Sequence, residues 1–281
     1  MTSGRAANDG PPTLLGIPFD GASSFLRGAA SAPPRIRRAL HSTASNLWTE
    51  GGVDLEADGA LRDAGDVALD ADLSGDAMRA AIERAVAQIG EAGGRPIALG
   101  GDHSVTYPVV RALRRRHRRF TLLHIDAHPD LYEDFDGNRW SHASPFARVM
   151  EEKLTDRLVQ IGIRTMNGHQ RAQAERFGVE VIDMLAWSAG RRVVVDMPVY
   201  LSIDLDGLDP AFAPGVSHRE PGGLTVREVI GIIQGLVVPI IGADVVELNP
   251  SRDADGVTAT VAAKLVKELA GGMWRVPATG A

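Results

Sequence analysis

The 281-residue chain contains no cysteine. This excludes disulfides, thiolate nucleophiles and cysteine-ligated zinc, and it leads us to expect a cytoplasmic protein of a reducing compartment. No apolar run is long enough to span a membrane, and the nearest candidate, 236–241, is interrupted by Pro239. Positive charge is also short: the net charge of -6 argues against a nucleic-acid partner and suits a cationic substrate. The one basic run, Arg114 to Arg119, has no interleaved aromatics and reads as a solvated helix end. No strand leads into Gly-x-Gly-x-x-Gly or a phosphate loop, so a nucleotide-binding module is disfavoured. Repeats and obvious linkers are missing too. Residues 1–12 are polar and rich in glycine and proline and are expected to be a loose tail, with 13–281 forming one domain.

Hydrophobic residues make up 44% of the chain, ample for a sizeable core. Apolar β-type runs at 14–17, 96–99, 120–125, 158–163, 179–182, 199–205 and 240–246 alternate with helical patterns. Helices are expected from Pro33 to Leu40, from a Ser74 cap to Glu91, from about Ser104 to His117, over 141–153, between the fourth and fifth runs, over 225–236 and over 257–270. Thr225 and Glu228 form a capping box, and Gly271-Gly272 is expected to stop the last helix. The stretch 42–70 has too little periodicity to place. Alternation of this kind predicts an α/β fold, a mainly parallel sheet covered by helices on both faces.

The chemistry-bearing residues fall at strand ends, the edge where open α/β sheets bind ligands. Asp126, His128 and Asp130 follow the run 120–125 at intervals of two, so a strand-like backbone turns all three to one side. His103 closes Gly-Gly-Asp-His after 96–99, Asp204 and Asp206 end 199–205, and Glu247 ends 240–246. His124, inside the apolar run, reads as a core histidine. The six ligand-type groups His103, Asp126, His128, Asp130, Asp204 and Asp206 are too many for one ion and fit two with shared carboxylates. Oxygen-rich ligation with some imidazole suits manganese. Two such ions about 3.5–4 Å apart lower the pKa of a shared water from 15.7 towards about 7.

These residues place the chain beside a known family. Gly100-Gly101-Asp102-His103-Ser104, Asp126-Ala127-His128-Pro129-Asp130 and Ser202 to Pro210 resemble the three metal-binding signatures of the ureohydrolases, the arginase and agmatinase family. The stretches 141–148, 209–223 and 242–247 are most similar to the plant-type arginase branch and its bacterial agmatinase-like relatives. The resemblance implies a three-layer αβα sandwich and a homotrimer or homohexamer. It also implies two Mn²⁺ ions bridged by Asp126 and Asp204, with His103 and Asp130 completing one and His128 and Asp206 the other. Glu247 matches the carboxylate that holds a guanidinium, His142 the proton-shuttling pocket histidine, and Asp130 the carrier of a proton to the leaving amine.

The expected reaction is release of urea from a small guanidino substrate. Animal arginases place an aspartate where this chain has Asn167 and a serine where it has Asn138. Glu220 is a candidate to face a distal ammonium. These departures tilt the expectation from arginine to agmatine, with arginine or a guanidino acid as alternatives. Two readings of other kinds are a one-zinc deacylase of related architecture and a non-catalytic, metal-holding subunit of a hetero-oligomer.

Overall fold

A computed structural model describes residues 10–69 and 75–275. Eight strands form one sheet: β1 (Pro12–Gly16), β2 (Arg62–Asp66), β3 (Arg95–Leu99), β4 (Thr121–Ile125), β5 (Arg157–Ile161), β6 (Glu180–Ile182), β7 (Val199–Asp204) and β8 (Ile240–Val246). All neighbours run parallel, in the order β2-β1-β3-β8-β7-β4-β5-β6. Strands β3, β4, β7 and β8 are buried along their whole length, which is why their sequences are nearly unbroken apolar runs. Eight helices complete the chain: α1 (Ala32–Leu40), α2 (Gly75–Glu91), α3 (Thr106–Arg114), α4 (Pro145–Glu151), α5 (Gly168–Phe177), α6 (Met184–Ser188), α7 (Val226–Gly235) and α8 (Val257–Trp274). One face of the sheet buries side chains of α1, α6, α7 and α8, the other those of α2, α3, α4 and α5. The three-layer αβα architecture is the expected one. Among the described residues no helix is long and apolar enough to cross a membrane.

Several boundaries depart from the sequence reading, each for a physical reason. Pro12, placed in the tail, opens β1; residues 1–9 and the Ser74 cap lie outside the described residues. β2 emerges from the stretch that showed no periodicity because it is an edge strand with every residue exposed, so burial imposes no pattern on it. The helix expected over 141–153 is confined to α4, and the turn before it carries His142. Helix α8 runs through Gly271 and Gly272 instead of stopping there. Thr49 and Ile240 approach so closely that a Cβ would fall 2.7 and 2.8 Å from their side chains. These glycines serve close packing inside the helix.

The sheet order explains the position of the site. β3, β8, β7 and β4 are consecutive neighbours, and their carboxyl ends carry His103, Glu247, Asp204–Asp206 and Asp126–Asp130 respectively. Strands remote in sequence thus deliver their polar ends to one rim at the centre of the sheet. Two glycines permit this crowding. Gly101 adopts φ +137, where a Cβ would meet Phe19 O at 2.4 Å, and Gly207 lies where a Cβ would be 2.8 Å from the Asp126 amide.

Candidate metal centre

Asp126, His128 and Asp130 do not form a continuing strand, since β4 ends at Ile125. Their side chains converge through an irregular turn in which Asp130 takes a left-handed conformation, φ 49. Glu247 is also left-handed, φ 65. Non-glycine residues held there cost on the order of 1–3 kcal/mol each, a strain typical of functional positions.

The six expected ligands gather in two halves. In one, His103 Nδ1 lies 3.1 Å from each of Asp126 Oδ2, Asp130 Oδ2 and Asp204 Oδ2. In the other, His128 Nδ1 lies 3.1 Å from Asp206 Oδ2 and 3.4 Å from Asp126 Oδ1. Asp126 therefore presents one oxygen to each half. Asp204 turns its second oxygen to the Asp206 amide, 2.8 Å away. All six except His128 are buried, and His128 is partly so.

The tautomer of His103 shows that this cluster fits a cation. Ser202 Oγ donates to Asp244 Oδ1 at 2.7 Å, so it accepts from His103 Nε2–H at 3.0 Å. In the neutral ring His103 Nδ1 then carries a lone pair, buried and without a hydrogen-bond partner, directed at three carboxylate oxygens; burial opposes charging the ring, but without an ion those carboxylates outweigh it and hold its pKa well above the ordinary value. A proton can join it to only one of them. A divalent ion satisfies all four, and spacings near 3 Å are those of neighbouring ligands around an octahedral cation bound at about 2.1 Å. The electrostatics agree. Burial, then repulsion from Asp206 and Asp126, drives the Asp204 carboxyl well above the usual range. Burial, then the Asp126 charge, pushes Asp206 up to about 7. Burial opposes charging His128, but Asp206 and Asp126 outweigh it and push it up to about 12.

These shifts carry a prediction for the ion-free chain. A carboxyl with a raised folded pKa favours the fold at low pH and loses that contribution as pH rises from its unfolded value towards its folded one. Asp206 makes this loss between about 3.8 and about 7. The His128 contribution is full only below 6.5 and declines from there towards about 12, so it adds to the loss. Protons also compete with metal for the same groups. Chelation by EDTA is therefore expected to lower Tm by several degrees more at pH 8 than at pH 5.5. A chelation effect equal at both pH values would refute the fit.

His124 is buried, as the sequence suggested, but it is not a bystander. Gln160 Nε2 donates to Pro129 O at 2.6 Å and to His124 Nδ1 at 3.0 Å. The ring therefore donates from Nε2 to Asp126 Oδ2 at 2.8 Å. The signal was present in its two-residue offset from Asp126. Phe146 of α4 closes the far side, with ring centroids 3.9 Å from His124 and 5.2 Å from His103.

Above the cluster opens a cavity of about 190 Å³ lined by Asp130, His142, Glu247, Tyr132, Thr165, Asn167, Gln170, His218 and Ser24, among others. Glu247 Oε1 accepts from the His103 amide and from His142 Nδ1, both at 2.9 Å. Burial favours the neutral acid, but the His142 and His103 hydrogen bonds outweigh it and keep Glu247 ionised below the usual range. Burial lowers His142 in turn, yet Glu247 prevails and pushes it up to about 9. Asn167 lines the cavity while capping α5, and its Nδ2 donates to Tyr132 OH at 2.7 Å.

Two expected substrate contacts do not line this cavity. Asn138 is exposed, its Oδ1 accepting from the Trp140 amide, and is not among the cavity residues. Glu220 is likewise not among the lining residues; the Arg164 guanidinium binds the backbone carbonyls of Glu220 and Asp206 and so ties the two loops together. Tyr132, Thr165, Gln170, His218 and Ser24 were not anticipated; of these only His218 falls in a stretch singled out in the sequence, 209–223.

A parallel αβα sandwich with a histidine-carboxylate pair of cation sites at the central strand ends defines a metal-dependent hydrolase of the binuclear class. Comparison with known proteins agrees. The Arginase family model matches residues 12–271. Arginase 1, mitochondrial, of Arabidopsis thaliana is 48% identical over 92% of this chain and 80% of its own length. Guanidinopropionase of Pseudomonas aeruginosa is 38% identical over 91% and 84%. The structure of arginase from Medicago truncatula superposes with a TM-score of 0.91 at 44% identity, covering 95% of this chain and 89% of that one. The chain belongs to the arginase family and is a manganese-dependent amidinohydrolase. The expected cytoplasmic location is contradicted by these relatives, since the Arabidopsis enzyme is mitochondrial by name. Lack of cysteine excludes disulfides but does not single out the cytosol.

Proposed function

We propose that this chain hydrolyses L-arginine to L-ornithine and urea, in preference to agmatine. The observation that carries this reading is the chemistry of the cavity mouth. Beyond the metal-binding cluster and the Glu247–His142 ion pair, its polar lining is neutral: Ser24, Tyr132, Thr165, Asn167, Gln170 and His218, the last kept neutral by burial and by the charge of His142. Tyr132 OH accepts from Asn167 and keeps its own hydrogen for a carboxylate. The distal ammonium of agmatine finds no anion there, whereas the α-carboxylate of arginine finds donors and its zwitterionic end has no net charge. Identity to plant arginases supports the same choice.

In this reading the six ligands hold two Mn²⁺ ions, which when bound supply an activated water at neutral pH. Glu247, with Oε1 engaged and Oε2 free of hydrogen bonds among the described residues, receives the guanidinium by charge-assisted hydrogen bonds. This fixes the planar carbon beside the cluster and removes much of the entropic barrier. Asp130 carries a proton to the leaving amine, and His142 exchanges protons between the site and solvent. Assembly as a homotrimer or homohexamer belongs to the same proposal and is read by sedimentation.

Urea release with Mn²⁺ should be compared across arginine, agmatine, 3-guanidinopropionate and 4-guanidinobutyrate. Arginine is expected to lead agmatine in kcat/KM by on the order of a hundredfold, the discrimination available when a site pairs one polar end group and not another. A preference for agmatine or a guanidino acid would overturn the arginine reading.

A further inference from the structure

His142 is bonded at both ring nitrogens. Nδ1 meets Glu247 Oε1, and Nε2 lies 2.9 Å from Ser24 Oγ, 118 residues away in sequence. Ser24 sits in the loop 20–28 after β1. This loop is pinned on both sides of it. The Ala22 amide donates to Asp102 Oδ2 at 2.8 Å, and Ala22 O accepts from the His142 amide at 3.2 Å. Leu26 O accepts from Asn249 Nδ2 at 2.8 Å and Ser217 Oγ at 2.7 Å. Leu26 itself is left-handed, φ 44. Ser24 is exposed whereas His142 is buried, so the pair spans the step from site to water.

We propose that Ser24 is a positioning residue for His142 that also passes the Nε2 proton between the imidazole and solvent. The inference rests on the proposed arginine hydrolysis. A hydroxyl suits both states of the ring, accepting from Nε2–H of the imidazolium and donating to Nε2 of the neutral ring. On the outward step the Nε2–H bond breaks and a bond to Ser24 Oγ forms, while the original Ser24 O–H bond breaks and its proton joins a solvent water. Uptake is the reverse, and the hydroxyl ends uncharged either way. Throughout, Glu247 retains the Nδ1 hydrogen, so the ring does not turn. The other titratable groups facing His142 are Asp130, Asp102 and His218. None of them hydrogen-bonds Nε2, which leaves Ser24 as its partner among the described residues.

The test uses the manganese-loaded enzyme with arginine, in dilute buffer and with added imidazole. Ser24→Ala should keep two ions per chain and a KM within about twofold, while kcat falls roughly tenfold to a hundredfold, the range of an indirect partner of a catalytic group. Imidazole should raise the kcat of this variant and leave the wild type unchanged. Ser24→Thr, which keeps the hydroxyl at an exposed position, should restore kcat. An unchanged kcat in Ser24→Ala overturns the proposal, and so does a loss that neither imidazole nor threonine repairs. If the wild type cleaves no guanidino compound, the functional reading fails separately. The pair is then read by the ¹⁵N shift of His142 Nε2, which must change in Ser24→Ala for the contact to stand.

Discussion

Replacing Asp126 by alanine is expected to empty both cation sites and to lower kcat/KM for urea release by roughly a thousandfold or more, since the source of the nucleophile is lost. The reason is geometric. Asp126 Oδ2 faces the His103 half and Oδ1 the His128 half. Asp206 approaches only His128 among the two ligand histidines. Asp206→Ala is therefore expected to retain about one ion per chain where Asp126→Ala retains none. Elemental analysis after gel filtration distinguishes them, with circular dichroism to confirm the fold. Equal metal content in the two variants, or urea release by Asp126→Ala near the wild-type rate, would remove Asp126 from the centre of the site.

Much of this centre was legible because its ligands are local in sequence. Asp126, His128 and Asp130 lie within five residues, and Asp204 and Asp206 within three. Each segment follows an apolar run whose burial marks it as a strand. That the segments meet was readable only as a rule about strand ends; the sheet order supplies the reason, placing β3, β8, β7 and β4 side by side. What stayed hidden depends on contacts without a local pattern. Ser24 reaches His142 across 118 residues from an irregular loop. β2 is exposed on an edge and so has no apolar period. Asn138 was misplaced because alignment to a distant relative fixes a position in the chain but not the direction of a loop. Here Phe135 of that loop lines the cavity, whereas Asn138, bridged to it, is exposed and does not. Agmatine was favoured on a similar ground, a missing aspartate, before the neutral polar groups at the cavity mouth could be seen.

Glu247→Gln is the second change expected to have a large effect, and it should leave the metals in place. The carboxylate performs three tasks with two oxygens: it fixes the His103 amide, holds His142 Nδ1–H and, in the proposed reaction, receives the guanidinium. A glutamine can keep Oε1 as an acceptor only by turning its NH₂ group towards the substrate, where it opposes a cation. Losing a buried, charge-assisted partner costs about 2–5 kcal/mol, so kcat/KM for arginine should fall on the order of a hundredfold to a thousandfold. Glu247 is also the group that overcomes burial to hold His142 at about 9. In the variant burial prevails, and the His142 pKa should drop below its ordinary value near 6.5. The sign for stability follows. In the wild type His142 contributes its full stabilisation below pH 6.5 and loses it as pH rises through about 9; in Glu247→Gln a His142 pKa below 6.5 reverses the sign, and the variant loses stability as pH falls below 6.5. An NMR titration of His142, with manganese counted in the same sample, reads both effects. A His142 pKa still near 9, or a variant that has shed its ions, would show that Glu247 is not the anchor described here.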